Sequence, residues 1–287
     1  MKKKYEILLI IGFILIIIFL YAMFIGTSGL VVKEYKITNK NIPTSFHGIK
    51  IVHMSDIHYG RTINENRLKH IIIEINKFKP DIVVFTGDFI DKDTKLNNNM
   101  KNILINNLKD IKATLGKYAI YGNHDYIFKE YPTIIEEGGF SLLKNSYDFI
   151  YNESYEPIFI GGIDSMLEGN PDIDSIMEYY NVGENNEEEE KVLPNYKIIL
   201  LHEPDYFDEF KDTYDIDLIL AGHSHNGQVR IPFIGGVKEV KGAMIYSEPY
   251  YKINNTDLYI SSGIGTSTIN LRLFNRPSIN LYRLTKN

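Results

Sequence analysis

Cysteine and tryptophan are both absent from the 287 residues. Without cysteine there are no disulfides, no thiolate metal sites and no cysteine nucleophile. That leaves the chain compatible with either side of a membrane. An excess of positive charge is lacking too: 31 Lys and Arg stand against 37 Asp and Glu, a formal net charge of −6. A polyanion such as DNA meets no general attraction, and no basic stripe is visible, so nucleic acid is not an expected partner. An acidic chain can still take up a phosphate where bound metal ions supply positive charge locally. Hydrophobic residues make up 44% of the chain, ordinary for a globular protein and enough for a core. A prior of about 150 residues per domain would allow two domains. The pattern divides instead into residues 1–29, an N-terminal anchor, and residues 30–287, one large catalytic domain.

The anchor is an uncharged run from Ile7 to Ile25 behind Lys2, Lys3 and Lys4. A helix rising about 1.5 Å per residue needs roughly 20 apolar residues to cross a bilayer core of about 30 Å. The run is apolar on every face and terminal, unlike an amphipathic helix packed on a core. A signal peptide is the other reading. Its apolar region usually spans about 7 to 15 residues, and Thr27-Ser28-Gly29 makes a poor cleavage site. The three lysines favour a cytoplasmic N-terminus and an extracytoplasmic catalytic domain; Lys33 and Lys36 on the far side oppose this.

Beyond the anchor, short apolar strands alternate with helical spacing. Strands are expected at Leu30–Ile37, Ile49–Val52, Asp81–Phe85, Tyr118–Tyr121, Pro157–Ile160, Lys197–Leu201 and Leu218–Ala221. Helices are expected at Asn64–Phe78, Met100–Ile111, Tyr131–Gly138, Pro171–Tyr180 and, briefly, Pro204–Thr213. Ala243–Tyr246, Tyr250–Ile253, Leu258–Ser261 and Ile279–Leu284 read as later strands without long helices between them, suggesting a second sheet packed on the first. Glu184 to Glu190 reads as a solvated or disordered loop.

Polar blocks follow these strands closely: Asp56-Ile57-His58, Gly87-Asp88, Gly122-Asn123-His124-Asp125, His202 and Gly222-His223-Ser224-His225. Ligand sites of open α/β sheets lie beyond the carboxyl ends of their strands, so the blocks are expected to converge. Five of the eight histidines fall in them; His47, His53 and His70 do not, and read as structural or exposed. Mixed imidazole, carboxylate and amide donors suit Mn, Fe or Zn better than Mg alone. The donors are too many for one ion and suit two divalent ions sharing a carboxylate. Such a pair, about 3.5–4 Å apart, can hold a hydroxide and polarise a phosphoryl group for in-line attack.

In their order and spacing these blocks resemble the pattern D-x-H, G-D, G-N-H-D, H, G-H-x-H of the calcineurin-like metallophosphoesterase superfamily, from about Ile49 to the C-terminus. Thr86-Gly87-Asp88, Gly122-Asn123-His124-Asp125-Tyr126, His202-Glu203-Pro204-Asp205 and Gln228-Val229-Arg230-Ile231-Pro232, behind an N-terminal span, are similar to its membrane-associated bacterial branch. That branch includes cell-envelope phosphoesterases and is related to UDP-diacylglucosamine hydrolases. The resemblance implies an α/β fold, two packed mixed β-sheets flanked by helices. It implies Asp56, His58 and His225 at one metal, Asn123, His202 and His223 at the other, and Asp88 between them. It also implies that His124 serves the leaving oxygen and that Asp125 orients His124. Arg61 and Tyr126 flank the blocks as candidate substrate contacts. The chain departs from the branch at Ser224 for Thr, Asn226 for Gly and Ser278 for Glu.

The expected activity is hydrolysis of a phosphodiester or pyrophosphate bond in an envelope lipid or polymer. A broad phosphomonoesterase is the rival enzyme. A non-catalytic scaffold on the same fold would be expected to have lost ligands or His124, and all are present.

Overall fold

The computed structural model describes residues 2–183 and 193–287, so the acidic stretch Glu184 to Glu190 lies outside the described residues. The N-terminal run forms α1 (Lys2–Leu20) and continues through a π-helical turn at Tyr21–Ile25. Together they make a helix of 24 residues, the one helix among the described residues long and apolar enough to cross a membrane. None of Lys2–Leu20 is buried against the rest of the chain.

β1 (Val31–Asn39) is followed by β2 (Lys50–Met54), α2 (Glu65–Lys77), β3 (Ile82–Phe85), α3 (Asn98–Lys109), β4 (Gly116–Ala119), α4 (Tyr131–Glu137) and β5 (Ser141–Leu142). The second half runs β6 (Ser146–Ile150), β7 (Ile158–Gly162), α5 (Ile173–Gly183), β8 (Lys197–Leu201), β9 (Leu218–Ala221), β10 (Arg230–Ile231), β11 (Gly235–Gly236), β12 (Tyr250–Ile253), β13 (Thr256–Ile260) and β14 (Ser278–Lys286). α2 shows how locally these elements are set. The Asn64 side chain accepts the Arg67 N–H at its start, and Leu68, Ile71, Ile72 and Ile75 form its buried face.

Two mixed sheets result, ordered β1-β14-β2-β3-β4-β5 and β12-β13-β9-β8-β7-β6, with β10 and β11 as a separate hairpin. Strand alternation divides three layers of core. Ile51, Ile82 and Val84 from the first sheet meet Ile198, Leu200, Leu218 and Leu220 from the second in the central layer. Their neighbours Val52, Val83 and Phe85 turn outward onto α2, α3 and α4. Ile199, Leu201, Ile219 and Ala221 turn the other way, onto Ile173 and Ile176 of α5 and onto Phe207 and Phe210. Strands apolar on both faces are what a sheet covered on both sides requires.

Three expectations need correction. Ala243–Tyr246 forms no strand: the N–H groups of Met244, Ile245 and Tyr246 all bond the Asp205 carboxylate, at 2.7–3.0 Å, instead of a neighbouring strand. Pro204–Thr213 forms a 3₁₀ helix only over Pro204–Glu209. The late strands do not all enter the second sheet. β14 returns to the first, antiparallel to β2 and parallel to β1.

β2, β3 and β4 run parallel, as do β7, β8, β9 and β13. Their carboxyl ends meet along one rim of the sandwich, which is where the polar blocks begin. Leu200 is fully buried between the sheets. Leu200→Ala is therefore expected to cost about 2–5 kcal/mol, read as a lowered midpoint in thermal unfolding with no loss of bound metal.

Candidate metal centre

Each strand turns sharply as it ends. Asp56, His58, Asp88, His223 and His225 all have left-handed backbone, with φ of 46° to 65°. For an L-residue that conformation costs about 1–2 kcal/mol, and such strain gathers at functional sites. Gly87, at φ +91°, allows the tightest approach: a Cβ there would run into the backbone nitrogen of Gly122.

Asp88 sits at the middle. Its Oδ1 accepts the His124 backbone N–H at 2.8 Å. That leaves Oδ2 facing His58 Nε2 at 3.6 Å on one side and His202 Nε2 at 3.5 Å on the other. On the first side, His58 Nε2 and His225 Nε2 lie 3.1 Å apart, and Asp56 Oδ1 is 3.4 Å from His225 Nε2. On the second, His202 Nε2 lies 3.2 Å from Asn123 Oδ1 and 3.2 Å from His223 Nδ1. Two donors bound at about 2.1 Å to one ion stand roughly 3–3.5 Å apart, so both groups have the spacing of a ligand shell.

The outer nitrogens agree with that. A carbonyl can only accept, so His202 Nδ1 donates to Thr86 O at 2.6 Å and His223 Nε2 to Lys241 O at 2.8 Å. This leaves lone pairs on His202 Nε2 and His223 Nδ1, the two atoms that face each other. Ser55 Oγ donates to Asp56 Oδ2 at 2.6 Å, aiming the other oxygen inward. Among the described residues three groups have donors close enough to hold a divalent metal: Asp56-His58-His225, Asp88-His202-His223 and His58-Asp91-His124, the last sharing His58 with the first.

Asp125 requires correction. Its buried carboxylate accepts the N–H groups of Asp88 (2.7 Å), Phe89 (2.9 Å) and Gly122 (2.9 Å), not the His124 ring. It stitches the ends of β3 and β4 together because three unpaired N–H groups converge there. Burial first, and then the Asp88 charge, pushes its pKa up. Asp88 goes the other way: burial works against ionisation, but the His202, His124 and His58 imidazoles outweigh it and hold the pKa well below the carboxylate range. The carboxylate beside His124 is Asp91, its Oδ2 4.0 Å from His124 Nδ1 and 3.6 Å from His58 Nδ1. Asp91 lies three positions after Asp88, a spacing visible in the sequence.

Arg272 had no signal in the sequence. It is fully buried, donates to the carbonyls of Ser262, Gly263, Gly265 and Asn275, and places Nη2 3.1 Å from His225 Nδ1. Burial lowers its pKa to about 9.

A cavity of about 310 Å³ opens over Asp88, Asn123 and His124, with Val229, Val237, Val240, Ile269 and Leu271 as an apolar wall. Neither Arg61 nor Tyr126 is part of its lining. Arg61 is engaged with Asn270, Thr268 and Asp91, and the Tyr126 hydroxyl donates to Asp164. The departures in the last block are absorbed locally. Ser224 Oγ accepts the Asn226 N–H at 3.0 Å, and Asn226 takes a left-handed φ of 45°. Ser278 lies against Ser262, which also binds Lys33. His53, outside the blocks, is buried against Thr86 and Tyr282, and burial lowers its pKa to about 3. His47 and His70 bear on Lys286 and Glu74.

The fold and these blocks define a metallophosphoesterase, and the chain belongs to the calcineurin-like phosphoesterase family, whose model matches residues 49–227. Among its relatives is the uncharacterized metallophosphoesterase YkuE of Bacillus subtilis, 32% identical over 92% of this chain and 88% of that protein. The UDP-2,3-diacylglucosamine pyrophosphatase LpxG of Chlamydia muridarum is 28% identical over 83% of this chain and 84% of its own. Among solved structures, the sulfate thiohydrolase SoxB of Thermus thermophilus superposes with a TM-score of 0.51 at 10% identity, covering 85% of this chain and 58% of that one.

Asp88→Asn should lower metal content from about two ions to below one, by elemental analysis after Mn loading. His124→Ala should leave metal content intact. Asp125→Ala should lower both metal content and the thermal midpoint, because Asp88 loses the carboxylate that holds its backbone.

Proposed function

We propose that the chain is a membrane-anchored dimetal phosphoesterase cleaving a phosphodiester or pyrophosphate bond in an envelope lipid or polymer. In this reading residues 1–29 are the anchor and residues 30–287 the catalytic domain, facing the extracytoplasmic side. The observation that carries it is the position of Asp88 Oδ2 between two imidazole groups at 3.5 and 3.6 Å, directly under a cavity with an apolar wall. The similarity to LpxG supports an apolar, phosphate-linked substrate.

Asp56, His58 and His225 would hold one divalent ion, Asn123, His202 and His223 would hold a second, and Asp88 would serve both. When bound, such a pair polarises a phosphoryl group and supplies hydroxide at neutral pH. The chain's own residues do the rest. The His124 ring lies at the cavity, edge-on to His58 with centroids 4.7 Å apart, free to give a proton to the departing oxygen. Burial first lowers the His124 pKa, while the Asp88 and Asp91 charges act against that. Asp91 adds a negative charge beside both rings, while the Lys92 N–H donates to His124 Nδ1 at 3.4 Å and turns the other ring nitrogen away from it. The apolar wall receives the hydrocarbon part of the substrate, which aligns the phosphate over the ligands. A diester or pyrophosphate fits better than a small monoester, which would leave that wall in water.

The test is a paired assay of the full chain in lipid nanodiscs with Mn, comparing bis-p-nitrophenyl phosphate with p-nitrophenyl phosphate. Preference for the diester is expected; preference for the monoester would move the reading to a phosphomonoesterase. His124→Ala should keep its metal and lower kcat by about 10²–10⁴. Full activity in that variant would remove the proton-donor role.

A further inference from the structure

The β10–β11 hairpin carries an apolar surface that the metal centre does not use. Phe233 at its tip is 109% exposed and Ile234 is 76% exposed. Phe274, 68% exposed, and Ile231 and Ile269, also exposed, accompany them. Single exposed apolar residues are common, but a contiguous group marks an interaction surface.

Backbone hydrogen bonds place this surface. The Arg230 N–H, at the hairpin base, donates to Leu273 O at 2.9 Å. One residue back, the Arg272 N–H donates to Ala22 O at 2.9 Å, in the last turn of the N-terminal helix. The hairpin is therefore two strand contacts away from the point where that helix leaves the domain. Phe24 and Ile25, just beyond Ala22 in the chain, are exposed as well. Whatever covers the end of the helix also lies beside the hairpin. If α1 spans a bilayer, the cover is the bilayer interface, where aromatic side chains are favoured.

We propose that Phe233, Ile234 and Phe274 rest in the lipid interface as a second membrane contact, so that the cavity opens toward the bilayer. The same hairpin supplies Val229 and Val237 to the cavity wall. One face of the hairpin thus meets lipid and the other lines the route to Asp88. A substrate with acyl chains passes from membrane to metal centre along a continuous apolar surface. This rests on the anchored phosphoesterase reading, but its test does not need turnover.

The chain contains no tryptophan, so Phe233→Trp creates a single reporter. The full chain is placed in phosphatidylcholine vesicles, with or without lipid brominated on its acyl chains. The expected result is blue-shifted emission, at least twofold quenching by brominated lipid, and protection from aqueous iodide. Tyr155→Trp is the control. Tyr155 is 92% exposed and precedes β7, at the rim opposite the metal centre. It should respond to iodide alone. If Phe233→Trp does not fold, Phe274→Trp takes its place.

Emission open to iodide and indifferent to brominated lipid, in chain that resists carbonate extraction, would overturn the proposal. Protection from iodide without brominated-lipid quenching would do the same, in favour of a protein contact. Loss of the chain from the vesicles would overturn the anchor and this proposal together. Brominated-lipid quenching in a protein that hydrolyses nothing would leave the membrane contact standing and remove the phosphoesterase reading.

Discussion

The centre depends on the orientation of one carboxylate. Asp88 can face two groups of imidazoles only because its other oxygen is occupied by the His124 N–H and its own N–H is held by Asp125. Two buried carboxylates side by side would repel each other in a medium of low dielectric. The arrangement resolves this by giving them different partners. Asp125 is surrounded by backbone N–H groups, and Asp88 by imidazoles. The strained turns at Asp56, His58, His223 and His225 serve the same end. They bring donors from two separate sheets to within hydrogen-bond distance of one another.

Most of that was legible in the chain. The strands ending at Asp56, Asp88, Asn123, His202 and His223 are short, apolar and followed at once by polar residues, and that pattern survives into the structure. What escaped was of a different kind. The family resemblance puts Asp125 on the His124 ring. The structure uses it on backbone groups, whose convergence no linear pattern reveals. Asp91 stands three positions after Asp88, but nothing in the sequence sets it apart from Asp93 two positions on. Arg272 carries no mark in the sequence and is buried under carbonyls supplied by residues 262–275. β5, β10 and β11 are two residues each, below the length at which alternation can be read. Ala243–Tyr246 has strand-like composition, but the Asp205 carboxylate takes the N–H groups a strand would need.

The chemistry of the cavity is asymmetric. Charge and metal-binding capacity lie on its floor, and one wall is hydrocarbon. A site for small soluble phosphates would be expected to surround its ligand with donors. Here Gln228, Lys238, Ser267 and Thr268 join the hydrocarbon in the lining, so the cavity meets a ligand with both kinds of surface.

β14 has one further consequence, for the order in which the chain can fold. It lies between β1 and β2, pairing with β1 from Val31↔Ser278 to Asn39↔Lys286. β1 emerges from the ribosome directly after the helix, and its partner emerges last. Until then β2, β3, β4 and β5 can pair with one another, but β1 has no neighbour and stays tethered close to the helix that precedes it. β14 therefore joins β1 to a sheet that can already exist. A chain truncated before residue 278 would leave β1 without its partner and β2 with an open edge, even with every residue of the candidate metal centre present.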